Sequence, residues 1–545
     1  MATVVGIDLG TTNSVVSALD DGKPWAIPNE EGDVLLPSCV GFNEAGQLLV
    51  GQIALRQYAA APERTVMSIK RQIGTDYVVN LNDTDYRPQE ISAIILKSLK
   101  QRAEEMLEDE VTQAVITVPA YFTDAQRQAT KEAGEIAGLE VLQILNEPTS
   151  AALVFDERSD DTQTVLVYDL GGGTFDVSIV EMTGEVTEVL ASHGNNRLGG
   201  DDFDRQLQRY LGDRFQETHQ TDVPDDAAIQ ARLHQAAEKA KIALSSQAFV
   251  TVREAYLASK GETALHLETE LDRTDFEKLI QPMLQETLEA IDRALKDADM
   301  EPDELDRVIL VGGSTRIPLV QKLVQDHLSG VPVSSFEPDL CVGLGAAMQA
   351  GVLSGEDVDS ILVDVIPHSL GIAASMPSPM GELHGMFSTI IPRNSVIPVS
   401  RSEIYTTGYD NQATVMIEVF QGENAIANEN VPLGEFKVED LPRRPAGSLK
   451  IEVNFDFDLN GILTVTATEK GKGGQESLVV NNAETGRLSS TEISQSKDTV
   501  SSLFDNMADH LFSMDEDEEG DDQDDGDDGN GGENEPKSVD VEVVD

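Results

Sequence analysis

The sequence predicts an α/β domain over residues 1–359, an all-β domain over 367–483, a short helical segment over 484–514 and a disordered acidic tail over 515–545. Three observations predict this order. Before the linker, β-rich apolar runs alternate with helical patterns, which is typical of an α/β layer architecture. The next section alternates apolar and polar residues with period two, which is typical of strands with one buried face. The tail is acidic and low in complexity, so it lacks the apolar surface that a core needs.

The α/β section begins with a strand-like run over residues 3–9. This run lacks the basic region and the apolar stretch of a secretory signal, so we expect no signal peptide. Residues 111–118 predict another strand, and residues 124–137 predict a helix that Thr123 caps and Gly138 ends. No apolar run approaches the length of a membrane span, so we expect no membrane anchor.

A short apolar stretch between acidic residues separates the two patterns, and we interpret residues 360–366 as an interdomain linker. Its central residues are Ile361, Leu362, Val363 and Asp364. In the all-β section, residues 415–419 alternate with period two, and Asn460-Gly461 predicts a hairpin turn. Residues 490–514 predict one or two amphipathic helices.

The chain is strongly acidic, since its 545 residues include 98 Asp and Glu against 39 Lys and Arg, for a formal net charge of −59. We therefore expect neither nucleic acid nor an anionic membrane as the main partner, because binding to phosphates needs a basic surface. The tail contributes −15 of this charge. The excess has two interpretations, adaptation to a high-salt cytoplasm or an ordinarily acidic cytoplasmic protein with a solubilising tail.

The remaining composition favours a cytoplasmic protein with sizeable cores. Hydrophobic residues make up 40% of the chain, which excludes wholesale disorder. Cys39 and Cys341 cannot form a disulfide framework and do not make a closely spaced pair, as expected for a reducing compartment. The histidines show no zinc-ligand spacing.

Two segments repeat one design, in which an apolar strand, Asp-Leu-Gly, a glycine- and threonine-rich turn and a second apolar strand follow one another; they cover residues 4–16 and 165–180. Glycines let a backbone approach an anion closely and direct several N–H groups at it, and threonine hydroxyls add donors. Asp8 and Asp169 would repel a phosphate unless a cation lay between them, so they imply hydrated Mg²⁺. Two tight hairpins without a ligand are the alternative, which the repeated chemistry disfavours.

A third glycine turn follows the apolar run at residues 308–311 and includes Gly312, Gly313 and Ser314. A flat base could pack on this turn with Arg316 stacked on its face, although Gly-Gly after a strand is common in itself. The chain lacks a Gly-x-x-x-x-Gly-Lys-Ser/Thr motif, which excludes a P-loop site. Together the three turns suggest a nucleotide held in a cleft between duplicated lobes.

The chain resembles the seventy-kilodalton heat-shock chaperones of the DnaK type, a branch of the actin-like ATPases. Seven stretches carry the resemblance, in family order: residues 6–14, VITVPAYFTDAQR at 115–127, NEPTSAA at 146–152, DLGGGTFD at 169–176, LGGDDFD at 198–204, ILVGGSTRIP at 309–318, and 369–372. The resemblance covers almost all of residues 1–480. It implies an actin-like ATPase domain with duplicated lobes, followed by a β-sandwich peptide-binding domain and a truncated C-terminal lid.

The resemblance implies ATP or ADP as ligand, with Mg²⁺ and K⁺, and assigns site residues by position. Around the phosphates it places Gly10, Thr11, Thr12, Asn13, Gly171, Gly172, Gly173, Gly199 and Gly200. Around the metal ions it places Asp8, Asp169 and Asp176. Around adenosine it places Glu238, Lys241, Ser245, Gly312, Gly313, Ser314, Arg316 and Asp339. Its catalytic residues are Lys70, Glu147, Asp169 and Thr174.

The catalytic roles that the resemblance implies are specific. Lys70 neutralises phosphate charge, Glu147 and Asp169 position the attacking water, and Thr174 lies beside the γ-phosphate. Without the resemblance, Lys70 would be interpreted as an ordinary surface cation and Glu147 as the end of a strand. Glu238 and Lys241, three residues apart, would be interpreted as a surface ion pair on a helix.

In the all-β section, the resemblance assigns an apolar pocket for one side chain of an extended client polypeptide to Ile372, Tyr405, Val415 and Ile417. Val415 and Ile417 also fit the plain inner face of a sandwich. The resemblance further implies that the linker docks on the ATPase domain when ATP binds. The partners it implies are unfolded client polypeptides, a J-domain cochaperone and a nucleotide exchange factor.

The chain departs from the family pattern at several places. Residues 484–514 are too short for the family's helical lid, so we expect fast peptide exchange. Gln143 stands where the family commonly has an arginine facing the J-domain partner, which weakens the case for J-domain coupling. His368 replaces an apolar residue, and residues 373–385 are longer than usual near the peptide pocket.

We therefore predict an ATP hydrolase of the cytoplasm that acts as a molecular chaperone and switches its affinity for extended apolar peptide. A specialised regulator or scaffold that holds one folded partner is an alternative, which the short lid keeps open. A small-molecule kinase of the same ATPase superfamily is a weaker alternative, because a kinase needs neither the β domain nor the apolar linker.

Overall fold

The computed structural model describes residues 3–155, 161–335, 337–356, 361–378, 381–470, 475–479 and 487–518. Within these ranges the chain forms two α/β lobes, an all-β domain and a C-terminal helix. No helix of the described ranges combines the length and the apolar character that crossing a membrane requires.

Lobe I, residues 3–155, is built around a six-stranded sheet in the order β11-β10-β1-β2-β3, with β4 paired to β2. Its elements are β1 (Thr3–Asp8), β2 (Asn13–Asp20), β3 (Lys23–Ala26), β4 (Leu36–Pro37), β5 (Cys39–Phe42), β6 (Leu48–Val50), α1 (Gln52–Tyr58), β7 (Thr65–Met67), β8 (Val79–Leu81), β9 (Thr84–Tyr86), α2 (Pro88–Leu107), β10 (Val111–Val118), α3 (Asp124–Ile136), β11 (Glu140–Asn146) and α4 (Glu147–Val154).

Lobe II, residues 161–335, is built around a six-stranded sheet in the order β18-β17-β12-β13-β14-β19. Its elements, with α9 and β19 that follow it, are β12 (Gln163–Leu170), β13 (Phe175–Thr183), β14 (Val186–Asn195), α5 (Gly200–His219), α6 (Ala227–Ser246), β15 (Phe249–Lys260), β16 (Thr263–Asp272), α7 (Arg273–Asp297), β17 (Arg307–Val311), α8 (Pro318–His327), β18 (Val333–Ser335), α9 (Cys341–Ser354) and β19 (Ile361–Val363).

The two sheets repeat one arrangement. In lobe I, β1 pairs antiparallel with β2 and parallel with β10. In lobe II, β12 pairs antiparallel with β13 and parallel with β17. The strands are apolar on both faces because helices cover the sheets, so Val165, Leu166 and Val167 are all buried. The turn after β1 in lobe I and the turn after β12 in lobe II therefore lie at corresponding ends of their sheets.

Helix α9 packs closely on lobe I. A Cβ atom on Gly6 of β1 would lie 2.1 Å from the backbone nitrogen of Ala347, and a Cβ atom on Gly345 would lie 1.8 Å from the carbonyl oxygen of Ser150. These contacts are possible only because both positions lack a side chain. The helix lies next to strand β1 and helix α4, close to the turn that follows β1.

The all-β domain contains two four-stranded antiparallel sheets in the orders β21-β20-β23-β24 and β22-β25-β26-β27. The strands are β20 (Leu370–Ser378), β21 (Gly381–Ile391), β22 (Val399–Thr406), β23 (Val415–Gln421), β24 (Val431–Val438), β25 (Lys450–Phe457), β26 (Leu463–Glu469) and β27 (Gln475–Val479). Side chains of both sheets, such as Val419 and Val453, share one buried core. The period-two pattern of the sequence produces this inward-facing row.

The C-terminal helix α10 (Ser490–Glu518) lies on lobe I, against α2 and α3. Val500 and Phe504 are buried in the core of lobe I, and the Lys97 ammonium donates to the Ser501 hydroxyl at 2.8 Å. The helix extends into the first residues of the segment predicted as a disordered tail, because that prediction relied on composition alone. The tail beyond Glu518 and residues 484–486 lie outside the described residues.

Candidate functional site

A cavity of about 480 Å³ lies between the two lobes. Three turns surround it: the turn from β1 to β2, the turn from β12 to β13, and the turn after β17. Helix α6 and the N-terminal end of α9 complete its walls. A cavity of this size is typical of sites for small molecules and cofactors.

The first two turns approach each other across the cleft. A Cβ atom on Gly172 would lie 2.0 Å from the Thr12 hydroxyl, and one on Gly173 would lie 2.6 Å from the Thr11 hydroxyl. Only glycine fits at these two positions. The repeated sequence pattern therefore corresponds to two turns that contact each other and that both line the cavity.

Three buried carboxylates, the partly buried Asp8 carboxylate and one buried ammonium lie at or beside the bottom of the cavity. The Lys70 ammonium donates to the Glu147 carboxylate at 2.5 Å, and both side chains are less than a tenth exposed. Burial raises the pKa of Asp8 to about 7, an effect that the Glu147 charge increases and Lys70 opposes. Burial also raises the pKa of Asp169 well above its usual range. It raises the pKa of Asp176 to about 7.

These side chains fit a cation that keeps its water molecules. The Tyr121 N–H donates to Oδ1 of Asp176 at 3.0 Å, but Oδ2 of Asp176 is buried and has no hydrogen-bond partner. Among the described residues, no three His, Cys, Asp or Glu side chains converge closely enough to bind a metal directly. A hydrated Mg²⁺ ion would satisfy the buried oxygens through its waters, since Mg²⁺ usually retains several of them.

The opposite end of the cavity joins α6 to the third turn. The Arg316 guanidinium donates to Oδ2 of Asp339 from Nε at 3.1 Å and from Nη2 at 2.5 Å, which holds it at the rim. On α6, the Lys241 ammonium donates to the Asp204 carboxylate at 2.6 Å. Burial raises the pKa of Asp204 to about 7, and Lys241 acts against this rise.

The structure brings most of the predicted site residues to one cavity. The residues that line it are Asp8, Gly10, Thr11, Thr12, Asn13, Lys70, Glu147, Asp169, Gly171, Gly172, Thr174, Glu238, Lys241, Ser245, Gly312, Gly313, Ser314, Arg316 and Asp339. Gly173, Gly199 and Gly200 lie next to these residues rather than in the lining, and so does Asp176, which lies opposite Asp169 on the neighbouring strand. Gly200, for example, would place a Cβ atom 2.9 Å from the Ser314 hydroxyl.

Sequence reasoning missed the apolar part of the lining, which consists of Leu35, Ile242, Val311, Ile317, Pro338 and Val342. Ile242 is 61% exposed although it is apolar, and it follows Lys241 directly on α6. Its position four residues after Glu238 on the helix was the available signal. The other apolar residues carry no signal, because nothing distinguishes them from core residues.

A scan against models of protein families matches the Hsp70 protein family over residues 4–535, nearly the whole chain. The chain belongs to the Hsp70 family. Members of this family are ATP-dependent chaperones that bind ATP or ADP with Mg²⁺, and they typically bind client polypeptides and cochaperones. The cavity between the lobes has the size and the polar lining that such a ligand needs.

The four residues matched to the Hsp70 peptide pocket lie in the all-β domain, away from the cavity. Ile372 and Ile417 are buried in the core of that domain. Tyr405 and Val415 are partly buried against the same core, and the Tyr405 hydroxyl lies 2.9 Å from the Ser388 hydroxyl.

The residues matched to the Hsp70 linker form the edge strand β19. It pairs in parallel with β14, so that Ile361, Leu362 and Val363 lie opposite residues 186–188. Asp364 is buried, and its Oδ2 accepts from the Asn146 amide at 2.9 Å and the Thr149 hydroxyl at 3.3 Å.

Proposed function

We propose that this chain is an ATP-dependent molecular chaperone in which ATP hydrolysis switches the affinity for extended apolar peptide. Residues 1–359 are the ATPase domain, 360–366 the linker and 367–483 the peptide-binding domain. One observation carries the proposal: Asp364 of the linker is hydrogen-bonded to Asn146, whose neighbour Glu147 lines the cavity. A change in the cavity can therefore act on the linker through adjacent residues.

The proposed hydrolysis needs charge neutralisation and an aligned water rather than covalent chemistry. Lys70 neutralises phosphate charge, and Glu147 holds its ammonium in place. Glu147 and Asp169 orient the attacking water, and the Thr174 hydroxyl lies beside the γ-phosphate. Mg²⁺ supplies further charge neutralisation when bound, with Asp8, Asp169 and Asp176 as its neighbours, and K⁺ accompanies it.

The remaining walls bind the rest of the nucleotide. The turns at residues 10–13, 171–173 and 199–200 lie around the phosphates. Glu238, Lys241 and Ser245 of α6 contact adenosine on one side. The third turn supplies the other side through Gly312, Gly313, Ser314, Arg316 and Asp339.

The proposed peptide site consists of Ile372, Tyr405, Val415 and Ile417. Tyr405 and Val415 keep part of their surface accessible, whereas the two isoleucines extend the same apolar surface into the core. An extended client chain can add main-chain hydrogen bonds along a sheet and insert one apolar side chain. A J-domain cochaperone and a nucleotide exchange factor complete the proposed cycle. Gln143, at the position facing the J domain, accepts from the Gln349 amide at 2.8 Å.

The test is the rate of ATP hydrolysis with and without an unfolded apolar peptide, at low and at multimolar KCl. We expect the peptide to accelerate hydrolysis. A higher rate in multimolar KCl would also support the interpretation of the acidity as adaptation to salt. A scaffold would be supported by two results together. The peptide would leave the rate of hydrolysis unchanged, and a pull-down would recover one folded partner in place of many unfolded clients. Transfer of phosphate to a sugar would overturn the proposal.

A further inference from the structure

One arginine joins the two lobes across the cleft. Arg71 follows Lys70 in lobe I, and its side chain reaches the first turn of α5 in lobe II. Its Nη1 donates to Oδ2 of Asp202 at 3.1 Å, and its Nη2 donates to Oδ1 at 3.2 Å. Nη1 also lies 3.6 Å from the Asp201 carboxylate. The Arg71 side chain is 12% exposed and that of Asp202 is 19% exposed, so salt screens this pair weakly.

The acceptor of this pair is held rigidly by its own lobe. Oδ2 of Asp202 accepts from the N–H of Gly199 at 3.0 Å, and Oδ1 accepts from Arg205 at 2.6 Å. The next residue back, Asp201, donates its N–H to the carbonyl oxygen of Gly172 at 2.8 Å. The N-terminal end of α5 is thus hydrogen-bonded to the turn between β12 and β13, which lines the cavity.

The stem of Arg71 crosses that same turn. A Cβ atom on Gly173 would lie 3.1 Å from Cγ of Arg71, which places the stem in contact with this glycine. Neither Arg71 nor Asp202 lines the cavity itself. The pair therefore lies beside the glycine-rich turns that line the cavity, but it is not part of the proposed hydrolysis machinery.

We propose that the Arg71–Asp202 pair is a latch that holds the lobes closed and sets the rate at which nucleotide leaves. This inference rests on the proposed nucleotide-binding function. A ligand enclosed between the lobes leaves when the lobes separate, and separation breaks both hydrogen bonds of the pair. Bidentate arginine–carboxylate pairs are among the stronger charge-assisted contacts, so their loss lowers the barrier to opening.

The matched variants are Arg71→Met and Arg205→Met. Both remove a guanidinium from the same carboxylate, but only Arg71 crosses the cleft, and methionine keeps the apolar stem that contacts Gly173. ADP carrying a fluorescent label on the ribose is bound, and its release is followed by stopped flow after excess unlabelled ADP is added. We expect Arg71→Met to release ADP about tenfold faster, which corresponds to about 1.4 kcal/mol. Arg205→Met should change the rate by less than about twofold.

Two further measurements distinguish a latch from general loosening of the fold. Arg71→Met combined with Asp202→Asn should release ADP no faster than Arg71→Met alone, because Asp202→Asn removes no further contact across the cleft. Single-turnover hydrolysis of bound ATP should be the same in Arg71→Met as in the unaltered chain. If Arg71→Met fails to fold, Arg71→Lys replaces it and should give an intermediate acceleration, because lysine cannot form both bonds.

The outcomes separate the two proposals. Equal release rates for Arg71→Met, Arg205→Met and the unaltered chain would overturn the latch and leave the proposed function intact. Additive acceleration in the double variant would overturn it as well. Failure of the unaltered chain to bind ADP would overturn both the latch and the proposed function.

Discussion

At the scale of single residues, Thr174 offers a separation of nucleotide binding from hydrolysis. Its side chain is buried in the lining of the cavity, in the turn between β12 and β13. Thr174→Ala removes one hydroxyl donor near the proposed γ-phosphate and leaves the glycine backbone of the turn in place. We expect single-turnover hydrolysis to slow by about a hundredfold, the usual cost of losing one transition-state donor. ATP affinity, measured by equilibrium titration, should stay near normal.

The control for this prediction is Thr174→Ser, which keeps the hydroxyl and removes only the methyl group. It should hydrolyse ATP at close to the normal rate. A large loss of ATP affinity in Thr174→Ala would instead assign the hydroxyl to the shape of the turn. The pair of variants therefore tests the chemistry of the hydroxyl separately from the packing of the side chain.

The residue scale also shows which parts of the site a sequence can predict. The glycines of the two turns were recognisable because close approach demands glycine, and the structure places Gly172 against Thr12. Lys70 and Arg71 are adjacent cations, yet one pairs with Glu147 inside the cavity and the other crosses to α5. Nothing in their spacing separates these roles, because the acceptors come from distant parts of the chain.

At the scale of elements, a single substitution can test the proposed linker. The residue to change is Asp364, which directly follows strand β19. Asp364 accepts hydrogen bonds from Asn146, Thr149 and the N–H of Val365. Asp364→Asn replaces one accepting oxygen with an NH₂ group. The hydrogens of this group would face neighbours that also donate hydrogen bonds. We expect this variant to hydrolyse ATP at the basal rate and to lose most of its stimulation by peptide, as measured in a steady-state ATPase assay.

The exposed residue Glu356, at the end of the preceding helix, supplies the control for this variant. Glu356→Gln removes the same charge close in sequence and should keep full stimulation. If Asp364→Asn is stimulated like the unaltered chain, the linker is only a tether. The comparison separates the loss of one buried carboxylate from a general change of charge near the linker.

Helix α10 gives a second prediction at this scale. Phe504 is buried in the core of lobe I, and the Lys97 ammonium lies 5.5 Å from the centre of its ring. Phe504→Ala should weaken the packing of the helix by about 3 kcal/mol, as expected for a buried aromatic side chain. Limited proteolysis around residues 487–489 should become faster. Ser502→Ala, on the exposed side of the helix, should be cleaved at the normal rate.

The sequence predicts helices and strands more readily than it predicts the elements against which they pack. The strand predicted at residues 111–118 and the helix predicted from residue 124 both form, because their apolar spacing is local. The same local pattern at residues 490–514 predicted helix but could not indicate lobe I as its partner. Likewise, β19 is a strand only because the edge of the lobe II sheet is available to it.

At the scale of the whole molecule, the all-β domain is docked on both lobes through polar contacts that are buried or partly buried. The N–H of Leu463 donates to Asp124 of lobe I at 3.0 Å, and Arg393 donates to Asp297 of lobe II at 2.7 Å. The His368 ring stacks edge-on against Tyr121, with ring centres 4.0 Å apart. Protonation of some groups at this interface weakens docking, and protonation of others strengthens it. The pH dependence of docking is therefore the sum of competing effects.

The sign of each effect follows from the direction of its pKa shift. The pKa of His368 is lowered from its ordinary 6.5 to about 4, mainly by burial; the Tyr121 carbonyl opposes this shift, and the nearby Arg127, His193 and Arg393 add to it. Neutral His368 therefore stabilises docking above pH 6.5, and this contribution is lost as the pH falls from 6.5 toward 4. Burial raises the pKa of Asp124 to about 6, so protonation of Asp124 favours docking as the pH falls.

Substitution of His368 isolates one of these competing contributions. Between pH 7 and pH 5.5, the docked-to-undocked ratio of the unaltered chain should fall by about eightfold relative to that of His368→Leu, because leucine cannot be protonated. The docked fraction is measured by energy transfer between dyes on lobe II and the all-β domain. His384→Leu, which removes an exposed histidine of the same domain, should follow the unaltered chain. If His368→Leu and the unaltered chain share one pH profile, protonation of His368 does not control docking, and the carboxylates of the interface determine its response to acid.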